Sequence, residues 1–464
     1  MLGVNSISGR TNKQNAHFQN ENGWRSKFPF DSPQTPEQVL GRLTPTMKKS
    51  DQRSISRPRT RAKDSRRPPS PPASRTRQSS PHIVVVGAGA FGGWTALHLR
   101  RSGAQVTLLD AWGPGHVRSS SGGETRVIRA TYGPDRPYYG LVKRSLELWR
   151  ENEKQWKRPL YQQTGLLWMA GKNDAYEQAA LPLLREHGLA YESLTPDEAS
   201  KRYPHICFDG VPWVIQEIDA GYLLARRACA AVMESFVAEG GRYQQFRAVP
   251  DRIIGGALKG LRLQDGTSIQ ADAYVFACGP WLGQLFPGVV QIRSTRQEVY
   301  YFGTPAGDRV HQEENTPAWI DHGPGLIYGI PGNEWRGFKL ADDAPGKRVD
   351  PESQDRSPTP SGIAAVRKYL HRRFPKLKGA PLIGAEVCQY EVSADKRYIA
   401  DRHPEASNVW LVGGGSGHGF KNGPAFGEYV ARIVLSKQSV DPFFGLSRFG
   451  SDPSKKAKPE RGAL

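Results

Sequence analysis

Gly87, Gly89 and Gly92 spell G-x-G-x-x-G directly after the apolar run 83–86. Asp110 closes a second apolar run, "QVTLLD", about 20 residues further on. In that setting each residue has a task. Gly87 permits a tight turn, Gly89 lets the backbone approach a pyrophosphate, and Gly92 lets helix and strand pack closely. The helix that follows presents its positive dipole end to the phosphates, and Asp110 is placed to bond ribose hydroxyls. The chemistry is dinucleotide binding, with NAD and FAD both open as the cofactor.

A second candidate is the lone thiol of Cys388, in "GAEVCQYEVSADKRYIADRHPE", which has no cysteine or histidine near it at zinc-ligand spacing. It reads either as a small buried filler or as a nucleophile, and attack requires a thiolate that basic neighbours would favour. Lys339, in the strand-like "RGFKLADD", reads as a snorkelling surface lysine or as a fixed cation. Arg126 and Arg129, in "ETRVIR", would share one face of a helix and could then be ordinary surface arginines. No metal-ligand spacing and no Ser/His/Asp elbow are present, so neither a metal centre nor a serine hydrolase is expected.

The elements that must position these residues follow from the hydrophobic pattern. Residues 83–86, the glycine turn, a helix over 94–101 ended by Gly103, and "QVTLLD" make a βαβ unit. From Asp219, "DAGYLLARRACAAVMESFVAEGG" has helical spacing, and Asp265-Gly266 marks a hairpin turn. Residues 292–345 alternate as strands, and "PSGIAAVRKYLHRRFP" is an amphipathic helix capped by Ser361. "NVWLVGGGSGHGFKNGPAFGEYVARIVL" returns to strand, glycine turn and helix. The fold class expected is α/β with an α+β second domain: a Rossmann-like nucleotide-binding domain over 81–160, 218–291 and 396–445, interleaved with a substrate domain over 161–217 and 292–395 built on a mixed β-sheet.

Residues 1–80 lack periodicity and read as a disordered basic tail, with 446–464 as a shorter second tail. The first 80 residues carry 16 Lys or Arg against 5 acids, so +11 of the +19 net charge lies before the fold and +8 is left for the other 384 residues. An excess of that size suits a site for small anions and does not require nucleic acid. The basic arm stays open between a solvated tail and a polyanion-binding segment. Four scattered cysteines, no signal peptide and no apolar run long enough to span a bilayer make a soluble cytoplasmic protein the default expectation.

Five separated stretches, "VVVGAGAFGG", "SSSGGETRVIRATYG", "VFACGPW", "YGIPGNEWRGFKLADD" and "VCQYEVSADKRYIADRHPEASNVWLVGGGSGHGFK", together resemble the FAD-dependent amine oxidases of the D-amino-acid-oxidase superfamily, most closely the monomeric sarcosine oxidase and N-methyltryptophan oxidase group. The resemblance covers residues 81 to about 445. It implies FAD held by Gly87, Gly89, Gly92, Asp110, Ser121, Thr125, Gly417 and Gly419, and tethered through Cys388. It implies that Lys339, with Arg126 beside it, assists reduction of O2, that Arg129 and Lys421 grip a substrate carboxylate, and that Tyr328 and Tyr390 line the substrate cavity. Gly122 and Asp343 stand where sarcosine oxidases carry histidines. Loss of two imidazoles is expected to widen the cavity, and Asp343 to pair with a cationic group of the substrate, with Arg336 or with Lys347. The activity implied is hydride transfer from the carbon beside the amine of an amino-acid-like substrate to flavin, with O2 reduced to H2O2 by a monomeric enzyme. Its rivals are a dehydrogenase that passes electrons to a carrier and a non-enzymatic protein acting through the basic arm.

Overall fold

The computed structural model describes residues 80–323 and 325–450. "HIVVV" forms the strand His82–Val86, buried from Ile83 onward, as a central parallel strand must be when helices cover both faces. Gln105–Asp110 and Ala273–Phe276 flank it in parallel, Arg242–Gln245 and Ala406–Gly413 continue the parallel sheet on either side, and Ile399–His403 adds an antiparallel edge. The chain therefore leaves the first strand to one side and returns on the other. That reversal is a topological switch point, and it opens a crevice at the carboxyl ends of the strands.

The helix behind the glycine turn, Ala90–Arg101, starts four residues earlier than its composition suggested and is buried from Phe91 to Leu99. It is covered by the helices Ala225–Ala238 and Gly423–Val434. Glycines make this approach possible: a Cβ on Gly427 would stand 2.7 Å from the Trp94 backbone, and one on Gly423 2.8 Å from the Trp94 ring. Gly427→Val is expected to cost about 1–3 kcal/mol, read as a lower urea midpoint with an unchanged slope.

An eight-stranded mixed sheet lies beside the first, in the order Leu382–Ser393, Ile292–Phe302, Phe338–Asp342, Leu326–Ile330, Ala318–His322, Leu166–Met169, Val214–Glu217 and Tyr191–Leu194. A third, small sheet pairs Thr125–Ile128 with Gly221–Leu224 and the latter with Tyr161–Gln162. This corrects the helix expected from Asp219. "GYLL" is a fully buried strand clasped between two partners, and the helix begins only at Ala225. The cap expected at Ser361 is Thr359 instead, whose hydroxyl accepts the Gly362 N–H at 3.1 Å. Pro360 prefers the first helical position, so the residue before it becomes the cap. The Asp265-Gly266 turn joins two antiparallel strands, with Gly266 at φ +85°.

The ordered chain runs past 445. Leu446–Phe449 forms a 3-10 turn, and Arg448 pairs with Asp395 at 2.7 Å. Residues 1–79 and 451–464, where both tails were expected, lie outside the described residues. Among the described residues no helix is long and apolar enough to cross a membrane.

Candidate active site

A cavity of ≈ 260 Å³ runs along the carboxyl ends of the parallel strands, lined by Val86, Gly87, Asp110, Ala277, Cys278 and Val412. Gly87 sits at φ +105°, where a Cβ would lie 2.3 Å from the Ala277 carbonyl, and a Cβ on Gly92 would lie 1.9 Å from the Gly87 carbonyl. Both positions are closed to any other residue. Gly89, Ala90 and Phe91 line the cavity as the start of a helix with no side-chain cap. Ser121 Oγ takes the Ala90 N–H at 2.9 Å. Asp110 accepts N–H groups from Ala88 (2.7 Å), Trp112 (2.9 Å) and Gly113 (2.8 Å). It is locked onto the turn while still lining the cavity, with acceptor capacity left over. Gly417 and Gly419 line the opposite wall, where Cβ atoms would meet the rings of Tyr390 at 2.7 Å and Phe91 at 2.8 Å.

A second group gathers where the mixed sheet meets this cavity. Lys339, 1% exposed, donates from Nζ to the Thr125 carbonyl at 2.7 Å and to its hydroxyl at 3.3 Å. Burial first, and Arg126 second, bring its amine down to about 7. Arg126 lines the cavity, and its guanidinium donates to the carbonyls of Thr125, Ser120 and Gly122. Thr125 therefore acts on Lys339; it does not line the cavity. Cys388 lies on the strand Leu382–Ser393. Burial pushes its thiol up, although Arg126 and Lys339 both press it down. The basic neighbours expected from the sequence are present, but desolvation outweighs them.

A third group lies on the other side of the segment that carries the two arginines. Thr125–Ile128 is a strand, so the helical face that Arg126 and Arg129 would have shared does not exist. Residues three apart in an extended chain project to opposite sides. Arg129 stacks on Tyr132 and Trp168, at 4.6 Å and 4.9 Å from the ring centroids, and Lys421 Nζ stands 4.8 Å from the same Tyr132 ring. Arg129 is 6% and Lys421 3% exposed. Glu217 takes the Ala130 and Thr131 N–H groups and the Thr131 hydroxyl, and so braces the loop that holds Arg129. Burial, then Arg129, drive Lys421 well below the usual amine range.

Asp343 pairs with neither Arg336 nor Lys347. The Tyr390 hydroxyl donates to it at 2.6 Å, while Arg336 bonds Glu124 and Glu334. Burial raises the Asp343 carboxyl to about 6, against the pull of the Tyr390 hydrogen bond, Arg129 and Lys421. Tyr328 and Tyr390 link the groups, since both feel Asp343 and Cys388. Among the described residues, none of Arg126, Arg129, Lys339, Asp343 and Lys421 forms an ion pair. At Gly122 the expected widening does not occur, because a Cβ there would strike the His116 carbonyl at 2.5 Å. Backbone already fills that space.

Some residues at the site were not singled out from the sequence. Trp112 and Trp281, 4.8 Å apart, line the cavity, with Arg118 and Arg247 over the Trp112 ring at 5.5 Å and 5.4 Å. They come from three separate segments, around 112–118, 247 and 281, so no local signal connects them. Glu391 lines the cavity next to Tyr390 inside a motif already noted, and its place in a mostly buried strand end was the available signal. Cys278, expected as packing, also lines the cavity, and its thiol donates to the Val86 carbonyl at 3.5 Å. Among the described residues no group of three His, Cys, Asp or Glu could hold a metal ion.

A glycine turn at a switch point, a long cavity beside it, and cations buried without carboxylate partners define a nucleotide-dependent oxidoreductase. The chain belongs to the family described as FAD dependent oxidoreductase, which matches residues 82–433. It is 31% identical over 361 residues to the monomeric sarcosine oxidase of Bacillus sp. (strain B-0618), covering 76% of this chain and 92% of that protein. It is 28% identical over 378 residues to the N-methyl-L-tryptophan oxidase of Yersinia pestis (strain Pestoides F), covering 79% and 99%. The crystal structure of L-proline dehydrogenase from P. horikoshii superposes with a TM-score of 0.70 at 21% identity, over 80% of this chain and 98% of that one, a likeness of fold alone. The cofactor is FAD, and the residues present fit it. The glycine cradle leaves no side chain in its path, and the cavity holds two buried polar atoms without protein partners, Ser120 Oγ and Glu391 Oε2.

Proposed function

We propose that this flavoprotein oxidises the carbon–nitrogen bond of an amino acid or N-alkyl amino acid, with O2 as electron acceptor and H2O2 as product. The observation that carries the reading is the pair Arg129 and Lys421, buried around one tyrosine ring with no ion-pair partner among the described residues. Two desolvated cations in one place are costly, and a substrate carboxylate would offset that cost while fixing one orientation. Arg129 supplies a planar fork and Lys421 a point charge. Tyr390 donates a hydrogen bond to Asp343, and Tyr328 and Tyr390 both stand within electrostatic reach of Asp343 and Cys388.

FAD, when bound, supplies the acceptor for the hydride equivalent. The amine substrate loses two electrons, and the resulting imine takes up water outside the protein's chemistry. Orientation by Arg129 and Lys421 lowers the entropic part of the barrier. No side chain is required as base for an amine that binds unprotonated. Lys339 is a buried cation whose hydrogen-bond partners among the described residues are oxygen atoms of Thr125, suited to stabilising negative charge as it develops on O2. An acid at 343, where sarcosine oxidases carry a histidine, makes sarcosine itself a poor match. The test is a screen of amino acids, their N-methyl derivatives and the matching amines without a carboxylate, read as peroxide. Turnover confined to compounds with a carboxylate supports the reading. Equal turnover of amines without one, or substrate oxidation that yields no peroxide, rejects it.

Cys388 is proposed as a covalent tether for the flavin. Its place beside Arg126 and Lys339 supports this, because both cations act against the burial that raises the thiol and so ease formation of the thiolate that attack requires. After acid precipitation the colour of the wild-type protein is expected to stay in the pellet, and that of Cys388→Ser to pass into the supernatant. Colour in the wild-type supernatant removes the covalent link and leaves FAD as a dissociable cofactor.

A further inference from the structure

Glu391 is the one acid lining the cavity that neither the glycine turn nor the substrate end employs. Its residue is 8% exposed. Its carboxyl accepts N–H groups from Gly414 and Gly415. Oε2 has no partner. The space around it is kept by glycines: a Cβ on Gly415 would stand 2.9 Å from Oε1, and Cβ atoms on Gly413 and Gly279 would stand 3.4 Å and 3.7 Å from Oε2. Glycines from two separate parts of the chain, 279 and 413–415, thus leave room for one carboxyl group at the cavity wall.

Charge explains the state of that group. The other ionisable side chains that line the cavity are Asp110 on the second parallel strand, Arg126 on the small sheet, Cys278 after the third parallel strand, and His116, Arg247 and Tyr390. Among the described residues none forms an ion pair with Glu391, and burial alone raises its carboxyl to about 7. A neutral carboxylic acid has one O–H donor that needs an acceptor, and leaving it unmade in a buried site is costly. Among the described residues nothing accepts from Oε2. The flavin ring carries carbonyl oxygens and ring nitrogens that can accept, and Glu391 lines the cavity together with Tyr390.

We propose that Glu391 is a flavin-contacting residue, whose Oε2 carries a proton and donates it in a hydrogen bond to an acceptor atom of the flavin ring. The proposal rests on FAD occupying this cavity and on neither the substrate nor the tether. A donor at the ring favours electron density there and so raises the readiness of the flavin to be reduced, whereas an ionised carboxylate in the same place opposes it. The arrangement makes the cofactor itself sensitive to pH near neutrality.

The experiment uses the holoenzyme as purified, without substrate, and records its visible flavin spectrum and its reduction potential on both sides of pH 7. In the wild type the flavin bands are expected to shift with a single midpoint, and the potential to fall more steeply above that midpoint than below it. Glu391→Gln keeps a donor and cannot ionise, so its spectrum should match the low-pH wild type at every pH. Its potential should lack the extra fall. A yellow wild-type protein whose bands and potential show no such transition overturns the proposal without any variant. A transition that persists unchanged in Glu391→Gln also overturns it, by assigning the titration to another group. A colourless protein that takes up no added FAD would overturn the cofactor reading together with this one, and is told apart by its colour.

Discussion

Lys339→Met is expected to slow the consumption of O2 by the substrate-reduced holoenzyme by about 10²–10³-fold, the range found when one preorganised electrostatic group is removed. The side chain is 1% exposed and is aimed by the Thr125 carbonyl and hydroxyl, so its charge costs no reorganisation when O2 takes up electrons. Methionine keeps the length and volume while removing the cation, and the protein should fold and still be reduced by substrate under anaerobic conditions. The pH dependence has a definite sign. The amine is depressed to about 7 by burial and by Arg126, so it is charged below that value and neutral above it. Reactivity with O2 should therefore be highest on the acid side and fall as pH rises through 7, and this limb should vanish in Lys339→Met. Stopped-flow mixing of reduced protein with oxygenated buffer measures both effects. An unchanged rate in the variant would remove Lys339 from the oxygen reaction and reopen the question of the electron acceptor.

Arg129→Gln is expected to lower kcat/KM for a carboxylate substrate by about 10²–10³-fold, since truncating one partner of a buried, hydrogen-bonded charge pair costs about 2–5 kcal/mol. Glutamine retains a donor and fills part of the space between Tyr132 and Trp168, so the loss reports charge and bidentate geometry more than packing. The decisive comparison is between an amino acid and its amide. Wild-type protein should prefer the acid strongly, and Arg129→Gln should lose most of that preference, because the amide never drew on the full charge. Lys421 adds a proton signature. Burial and Arg129 hold it well below its usual range, and an arriving carboxylate would raise it again, so substrate binding should take up a proton in the pH range where this amine titrates. Calorimetry in buffers of different ionisation enthalpy measures that uptake, and Lys421→Met should abolish it. If Arg129→Gln discriminated acid from amide as well as the wild type, the carboxylate would have to be bound elsewhere.

Much of the nucleotide half was legible because its signals are local. A strand, three glycines, a helix and an acid within one short stretch obey largely local backbone constraints: a Cβ at 92 collides with the Gly87 carbonyl of the same turn. The alternation of 292–345 likewise marked strands, and resemblance to a known family named the residues that line up around Cys388 and Lys339.

What needed the tertiary structure is whatever depends on which segments meet. "GYLL" has a composition that suits helix or strand, and only its burial between two partner strands decided the matter. The same small sheet sends Arg126 toward Cys388 and Arg129 toward Lys421, a separation that residue types at spacing three do not reveal. The thiol of Cys388 is raised and not lowered, because desolvation is a property of the assembled site and outweighs the cations next to it. Asp343 found Tyr390, and Gly122 proved to be filled by backbone, for the same reason. The sequence by itself determined the chemistry available: a nucleotide turn, a thiol, four cations and an acid. The fold decided their pairing, their protonation and the direction each one faces, because those follow from distances and burial that arise only when strands far apart in the chain are brought side by side.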